Sequence, residues 1–247
     1  VIGARTNREG GPSALAAAII GKTPKYGLHL VENRKPGVHI RVEGEPKGAD
    51  AAWYGALGYL AGKISGNRIP VFSGIRPGRD QLKNLGAAMA ATGAVALYHV
   101  KEITPEARIF SYSTEGLEDV TIYADEVASL FTGEQADAVA IGCPHCSPDE
   151  LMAISDLLEG CRVTMPVYIF ASRDVIDREA GYVRKIESSG ARVYADTCMV
   201  VSPALERYDR IMVNSGKALA YVPTMCGAGA VIGSTKECIK MATAPRP

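Results

Sequence analysis

Short apolar runs alternate along this chain with longer amphipathic stretches, the rhythm expected of strands and helices in βαβ succession. Residues 38–42 alternate apolar and polar positions, which places His39 and Arg41 on one wetter strand face. Residues 49–64 then read as an amphipathic helix containing Trp53, Tyr54, Leu57 and Leu60. A strand at 69–74 leads to a helix at 79–92, stopped by Gly93. Residues 94–100 form a continuous apolar run, predicted as a strand buried on both faces, with His99 near its carboxyl end. Upstream, Ser13 opens an Ala-rich helix that runs to Ile20, and residues 26–30 read as a further strand. Beyond a loop at 103–107 come a strand at 119–123 and a helix at 124–131.

The second half is patterned more cleanly. It predicts strand 138–142, helix 148–159, strand 166–171, helix 173–189 and strand 191–195. A strand at 208–213 follows, and residues 229–232 lead to a short helix carrying Cys238. The whole pattern predicts an α/β protein with mostly parallel sheets covered by helices. Two units are expected, residues 1–125 and 126–247, with the segment from about 210 onward able to return to the first unit.

Composition narrows the function. Lysine plus arginine equals aspartate plus glutamate at 27 each, so no general field draws the chain to nucleic acid or an anionic membrane. No apolar run reaches the length of a membrane span and no signal-peptide pattern is present, so a cytoplasmic protein is expected. In that setting six cysteines read as reduced thiols or metal ligands rather than a disulfide framework.

The chemistry concentrates in Gly142-Cys143-Pro144-His145-Cys146-Ser147, at a strand-to-helix turn. Ser147 is placed to cap the helix, with Pro148 in its first turn. The carboxyl ends of strands are where open α/β sheets bind ligands, and a helix start there favours thiolate. The alternative is a pair of buried apolar cysteines. Asp196-Thr197-Cys198 ends another predicted strand, and two strands ending in cysteine point to one shared metal centre. Cys226 is a further candidate ligand, whereas Cys161 and Cys238 read as structural.

Two other segments carry polar groups in sequence. Arg5, Asn7, Arg8 and Glu9 precede Gly10-Gly11-Pro12 and a helix start, an arrangement suited either to clamping an anion or to a solvated loop with Arg–Glu pairing. Asn214-Ser215-Gly216-Lys217 closes a strand with amide, hydroxyl and ammonium donors, but lacks the full phosphate-loop pattern. The chain opens at Val1 directly on the polar 3–12 segment, so it is expected to belong to a longer polypeptide.

Taken together, the 3–15 segment, Gly142 to Ser147, Asp196-Thr197-Cys198 and Asn214 to Lys217 resemble the aconitase X family, in its archaeal large-subunit type. The resemblance covers nearly the whole chain and implies aconitase-like three-layer α/β/α units. It implies an iron–sulfur hydro-lyase acting on phosphomevalonate, or on cis-3-hydroxy-L-proline as in related bacterial members. It also implies a [4Fe–4S] cluster held by Cys143 and Cys198, with Cys146 as the alternative first ligand and His145 in support. The third cysteine is expected outside this chain, in a segment preceding Gly3 in the family. Arg5, Asn7, Arg8, Glu9, Ser215 and Lys217 are the implied substrate residues. The catalytic base is expected on a separate small swivelling-domain subunit. A reading from another class stays open: a non-catalytic α/β module holding zinc through Cys143, Cys146 and Cys198.

Overall fold

The computed structural model describes residues 1–245. Among them, β1 (Val38–Glu43), β2 (Pro70–Ser73), β3 (His99–Val100) and β4 (Glu118–Tyr123) form one sheet in the order β3-β2-β1-β4. A second sheet joins β5 (Ala138–Cys146), β6 (Val167–Ala171), β7 (Arg192–Ala195), β8 (Arg210–Val213) and β9 (Gly229–Ile232) in the order β7-β6-β5-β8-β9. Every pairing is parallel, which makes both sheets of the expected α/β type. The helices in chain order are α1 (Gly11–Ile20), α2 (Ala51–Ser65), α3 (Arg79–Gly93), α4 (Pro105–Phe110) and α5 (Ala124–Ala128). They continue with α6 (Pro148–Leu157), α7 (Arg173–Arg178), α8 (Ala180–Ser188), α9 (Gly216–Tyr221) and α10 (Thr235–Thr243). Among the described residues no helix is long and apolar enough to cross a membrane.

The first sheet buries Ile40, Val42, Phe72 and Ile122 against Leu57, Leu85 and Met89 of α2 and α3. Each large apolar side chain fully buried there stabilises the fold by about 1.5–3 kcal/mol. Its other face carries the polar residues of the alternating strand. His39 is nonetheless only 5% exposed, because Nε2 pairs with Ser73 Oγ at 2.8 Å and Nδ1 with Asp119 Oδ1 at 3.1 Å. The second sheet has an apolar core on each face. One holds Val139, Ile141, Ile169 and Cys146 against α6, α8 and α10, and the other holds Ala140, Phe170 and Cys143 against α9 and the loop at 199–205.

Helix α9 follows β8 of the second sheet yet lies on α2 and α3 of the first unit. A Cβ on Gly55 would stand 2.7 Å from the Gly216 nitrogen, so only glycine permits this approach.

Four expected elements differ. Residues 26–30 form a 3₁₀ turn, Gly27–His29, instead of a strand, because Asn7 Oδ1 accepts from Leu28 N at 2.5 Å and Gly27 takes φ 58°. Of the 94–100 run only His99–Val100 joins a sheet. Ala94 adopts φ 56° to terminate α3, and Tyr98 turns back to donate to Leu82 O at 2.7 Å. The helix expected over 173–189 breaks at Glu179 (φ −103°, ψ 28°) into α7 and α8. The helix expected to reach residue 131 closes at Ala128.

Candidate functional site

In the second sheet the chain runs outward from β5 to β6 and β7, then returns to β8 on the other side of β5. The crevice at the carboxyl ends of β5 and β8 is therefore a topological switch point, where open parallel sheets bind ligands. Cys143 lies at the end of β5, Cys198 in the loop after β7, and Asn214 to Lys217 directly after β8.

The thiol loop is shaped by an irregularity in β5. Ile141 pairs with Ile169, but the next pair is Cys146 with Ala171, so the β5 side of the ladder contains extra residues. Strict alternation would point Cys143 toward the same core as Val139 and Ile141. The irregularity instead turns Cys143 into the opposite core and returns Cys146 to the first. Gly142 makes this possible at φ 109°, with its Cα facing the Phe170 carbonyl so closely that a Cβ would collide with it. Gly142→Ala is accordingly expected to destabilise the protein by about 2–4 kcal/mol, read as a lower urea midpoint. The Cys143–Pro144 peptide is cis.

Cys143 is 5% exposed, and its thiol is pushed up to about 11. Burial is the main cause; the Lys217 ammonium works against it, while the neighbouring Cys198 and Cys226 sulfurs add to it. Those effects place Cys198, Cys226 and Lys217 within electrostatic reach of Cys143. Cys198 is partly exposed at the mouth, whereas Cys226 is buried with Sγ 3.8 Å from Val200 O. Burial also raises the Cys226 thiol, with Glu206 and Cys198 adding to the effect. Among the described residues, no three His, Cys, Asp or Glu side chains stand close enough to bind a single metal ion.

Several side chains hold this loop. His145 Nε2 lies 2.7 Å from Thr197 O, which can only accept, so Nε2 carries the proton and ties β5 to the Cys198 loop. Ser215 donates to Cys143 O and accepts from Ala218 N at 3.1 Å, which spends its hydroxyl on the scaffold. Asn214 donates to Thr235 Oγ1 at 3.1 Å.

The first unit braces the same loop. Ser147 Oγ donates to Asp80 Oδ2 at 2.8 Å, and Lys83 Nζ pairs with Glu150 Oε2 at 2.6 Å and with His145 O at 3.3 Å. Burial pulls the Lys83 ammonium down, but Glu150 and Asp80 outweigh it and hold the group above its ordinary value. In the sequence Asp80 and Lys83 look like ordinary charges of a helix's first two turns; only their contact across units shows their role.

Other predicted residues lie elsewhere. Cys146 is fully enclosed in the opposite core, where burial first and Glu150 and Asp80 next raise its thiol far above the usual range. Cys238 is buried in that same core, while Cys161 is exposed rather than packed inside. Asn7 spends its amide on Tyr26 O and Leu28 N, and Glu9 accepts from Ser13 Oγ at 2.7 Å. Arg5 stands 4.0 Å from Glu106, and Arg8 is exposed. None of these four residues touches the thiol loop.

The fold thus defines a parallel α/β protein with thiols beside the crevice at a topological switch point. Residues 36–132 match the model of the aconitase X second domain and residues 136–244 that of the aconitase X third domain. These adjoining matches take in most of the sequence, and the chain belongs to the aconitase X family. It is 53% identical to the phosphomevalonate dehydratase large subunit of Methanosarcina mazei, over 98% of this chain and 61% of that protein. With the large subunit of the same name from Methanocaldococcus jannaschii it shares 44% identity, over 97% of this chain and 63% of the relative. The cis-3-hydroxy-L-proline dehydratase of Pseudomonas aeruginosa is 32% identical over all of this chain and 46% of its own length. The crystal structure of Thermococcus kodakaraensis aconitase X in its holo-form superposes with a TM-score of 0.87 at 42% identity, covering 98% of this chain and 64% of that one. The chain therefore spans about three fifths of the length of its phosphomevalonate dehydratase relatives.

Proposed function

We propose that this chain is the large-subunit portion of an iron–sulfur hydro-lyase that dehydrates (R)-5-phosphomevalonate to trans-anhydromevalonate 5-phosphate. The observation that carries the reading is that Cys198 packs on the core that holds Cys143 at the carboxyl end of the second sheet, with Lys217 acting on the same thiol. The higher identity to proteins named phosphomevalonate dehydratase, 53% against 32% for the named hydroxyproline dehydratase, favours this substrate over the alternative.

The residues present fit an iron–sulfur group by their chemistry. Sulfur donors are soft, and a buried thiol such as Cys143 surrenders its proton to a metal far more readily than to water. Cys143 and Cys198 would supply two thiolates to a cluster of [4Fe–4S] type. The third is expected from outside this chain, with buried Cys226 as the competitor within it. Cys146 lies in the core opposite Cys143 and Cys198, which weakens the non-catalytic zinc alternative that needs all three. When bound, such a cluster supplies a Lewis-acidic iron that polarises a substrate hydroxyl.

The chain's own residues orient and neutralise. Lys217 brings an ammonium beside Cys143, placed to meet an anionic group of the substrate. His145 and Ser215 fix the loop that presents Cys143, and so act through it. Arg5 and Arg8 are further cations assigned to the substrate phosphate, on the segment that Asn7 and Glu9 pin. The base that removes the carbon-bound proton is assigned to a small swivelling-domain partner subunit, and the enzyme to the cytoplasm.

The test takes the full polypeptide carrying this sequence, reconstituted anaerobically with iron and sulfide and mixed with its small partner. Mevalonate 5-phosphate and cis-3-hydroxy-L-proline are offered separately, and loss of one water is followed by mass spectrometry. Dehydration of the phosphate ester is the expected result. Turnover of the hydroxyproline alone would transfer the assignment to the alternative, and inertness of both with the cluster present would overturn the hydro-lyase reading.

A further inference from the structure

We propose that the amino-end edge of the second sheet holds a second anion site, remote from the thiols, for a small phosphorylated compound carrying a short apolar chain. A cavity of about 450 Å³ opens there, with Arg192, Arg207, Tyr168 and Tyr208 on one side and apolar residues including Val163 and Met165 on the other. Val167 and Arg192 begin β6 and β7, and Tyr208 precedes β8. The thiols and Lys217 lie at the opposite, carboxyl ends of these strands, so the two sites are separated by the depth of the sheet.

The charge balance of the cavity points to an anion. No aspartate or glutamate lines it, and neither arginine forms an ion pair among the described residues. Arg34, Arg41, Arg68, Arg173 and Arg210, by contrast, each hold a carboxylate. Arg207 spends Nε on Ala204 O at 2.9 Å and keeps its terminal nitrogens. The Arg207 guanidinium stands 5.9 Å from the centre of the Tyr208 ring, and Arg192, whose first hydrogen-bond partner is Tyr194, also acts on Tyr168 and Tyr208.

The tyrosines supply what the arginines lack, a donor of fixed direction. Their hydroxyl oxygens are 2.6 Å apart, so one donates to the other and the acceptor keeps its own O–H for a third group. Burial, then the bond to Tyr168, pushes Tyr208 up to about 12, so the hydroxyl remains protonated at neutral pH. Two guanidinium forks and a phenol match the several acceptor oxygens of a phosphate monoester. The cavity is much larger than a bare phosphate needs, and its apolar wall gives a short hydrocarbon tail a surface to leave water.

Isothermal titration of the protein with n-butyl phosphate, inorganic phosphate and n-butanol tests this. Saturable binding of butyl phosphate is expected, with weaker binding of phosphate and none of butanol. The double variant Arg192→Gln, Arg207→Gln should weaken butyl phosphate at least tenfold, and Tyr208→Phe should weaken it severalfold. Lys217→Gln should leave its affinity unchanged. Both arginines are exposed, so these variants are expected to keep the fold, with far-ultraviolet circular dichroism as the check. Absence of saturable binding, or binding untouched by the arginine pair, overturns the proposal. So does loss of binding in Lys217→Gln, which would place the anion at the thiol site.

Discussion

Cys143→Ala, in the full polypeptide reconstituted with iron and sulfide, is expected to lose the visible absorption of the proposed cluster and all of the proposed dehydration. The reason lies in where the β5 irregularity sends the side chain. Cys143 is in reach of Cys198 and Lys217 on one face of the second sheet, whereas Cys146 is enclosed on the other. Cys146→Ala is the matched control. It should keep the colour and the activity while lowering stability by about 1–2 kcal/mol, since it removes only a buried sulfur from an apolar core. The reverse pattern, with colour lost in Cys146→Ala and kept in Cys143→Ala, would exchange the two assignments and require the loop to adopt another register.

Glu106→Gln is expected to cost about 3–5 kcal/mol of folding stability, because it leaves the Arg34 guanidinium buried without its counter-charge. Arg34 is only 2% exposed, and Glu106 meets it through both oxygens at 2.6 Å. The same arginine donates from Nη1 to Leu28 O at 2.7 Å, so one side chain joins the turn before β1 to helix α4. Arg34 holds Glu106 below its ordinary value, against the opposing effect of burial. A carboxylate with a depressed folded pKa contributes stability that is complete above its unfolded value, about 4.3, and is lost as pH falls through the folded one. Urea midpoints compared at neutral pH and at successively lower pH should therefore show the wild type and Glu106→Gln converging in acid. A constant gap down to the folded pKa and below would mean that the pair contributes through shape alone.

The parallel α/β class was legible because long-range burial repeats locally: strands covered on both faces read as apolar runs, and their helices as amphipathic ones. The exceptions have local causes. In the 94–100 run Val95 and Tyr98 are apolar because they pack on the first core, and only His99 and Val100 pair with β2 at the sheet edge. The 26–30 run is apolar yet has no strand beside it, and Asn7, far back in the chain, decides its turn. Its place in an alternating strand predicts a solvated His39, but a hydroxyl and a carboxylate on the two neighbouring strands satisfy it in near-complete burial.

By itself, the sequence determined the residue types and the order of elements: thiols at the ends of two strands, a lysine after a third, and helices to cover the sheets. Those features depend on neighbours in the chain, on period and on capping, and so they are written locally. Only the tertiary structure decided which thiols share a face, since one irregular stretch of β5 reverses the parity of everything beyond it. It alone decided that Asp80 and Lys83 of one unit brace the thiol loop of the other, and that Gly55 and Gly216 let α9 bring Lys217 to that loop. Such choices rest on contacts between residues tens to hundreds of positions apart, where no local propensity operates and only the geometry of close packing selects the partner.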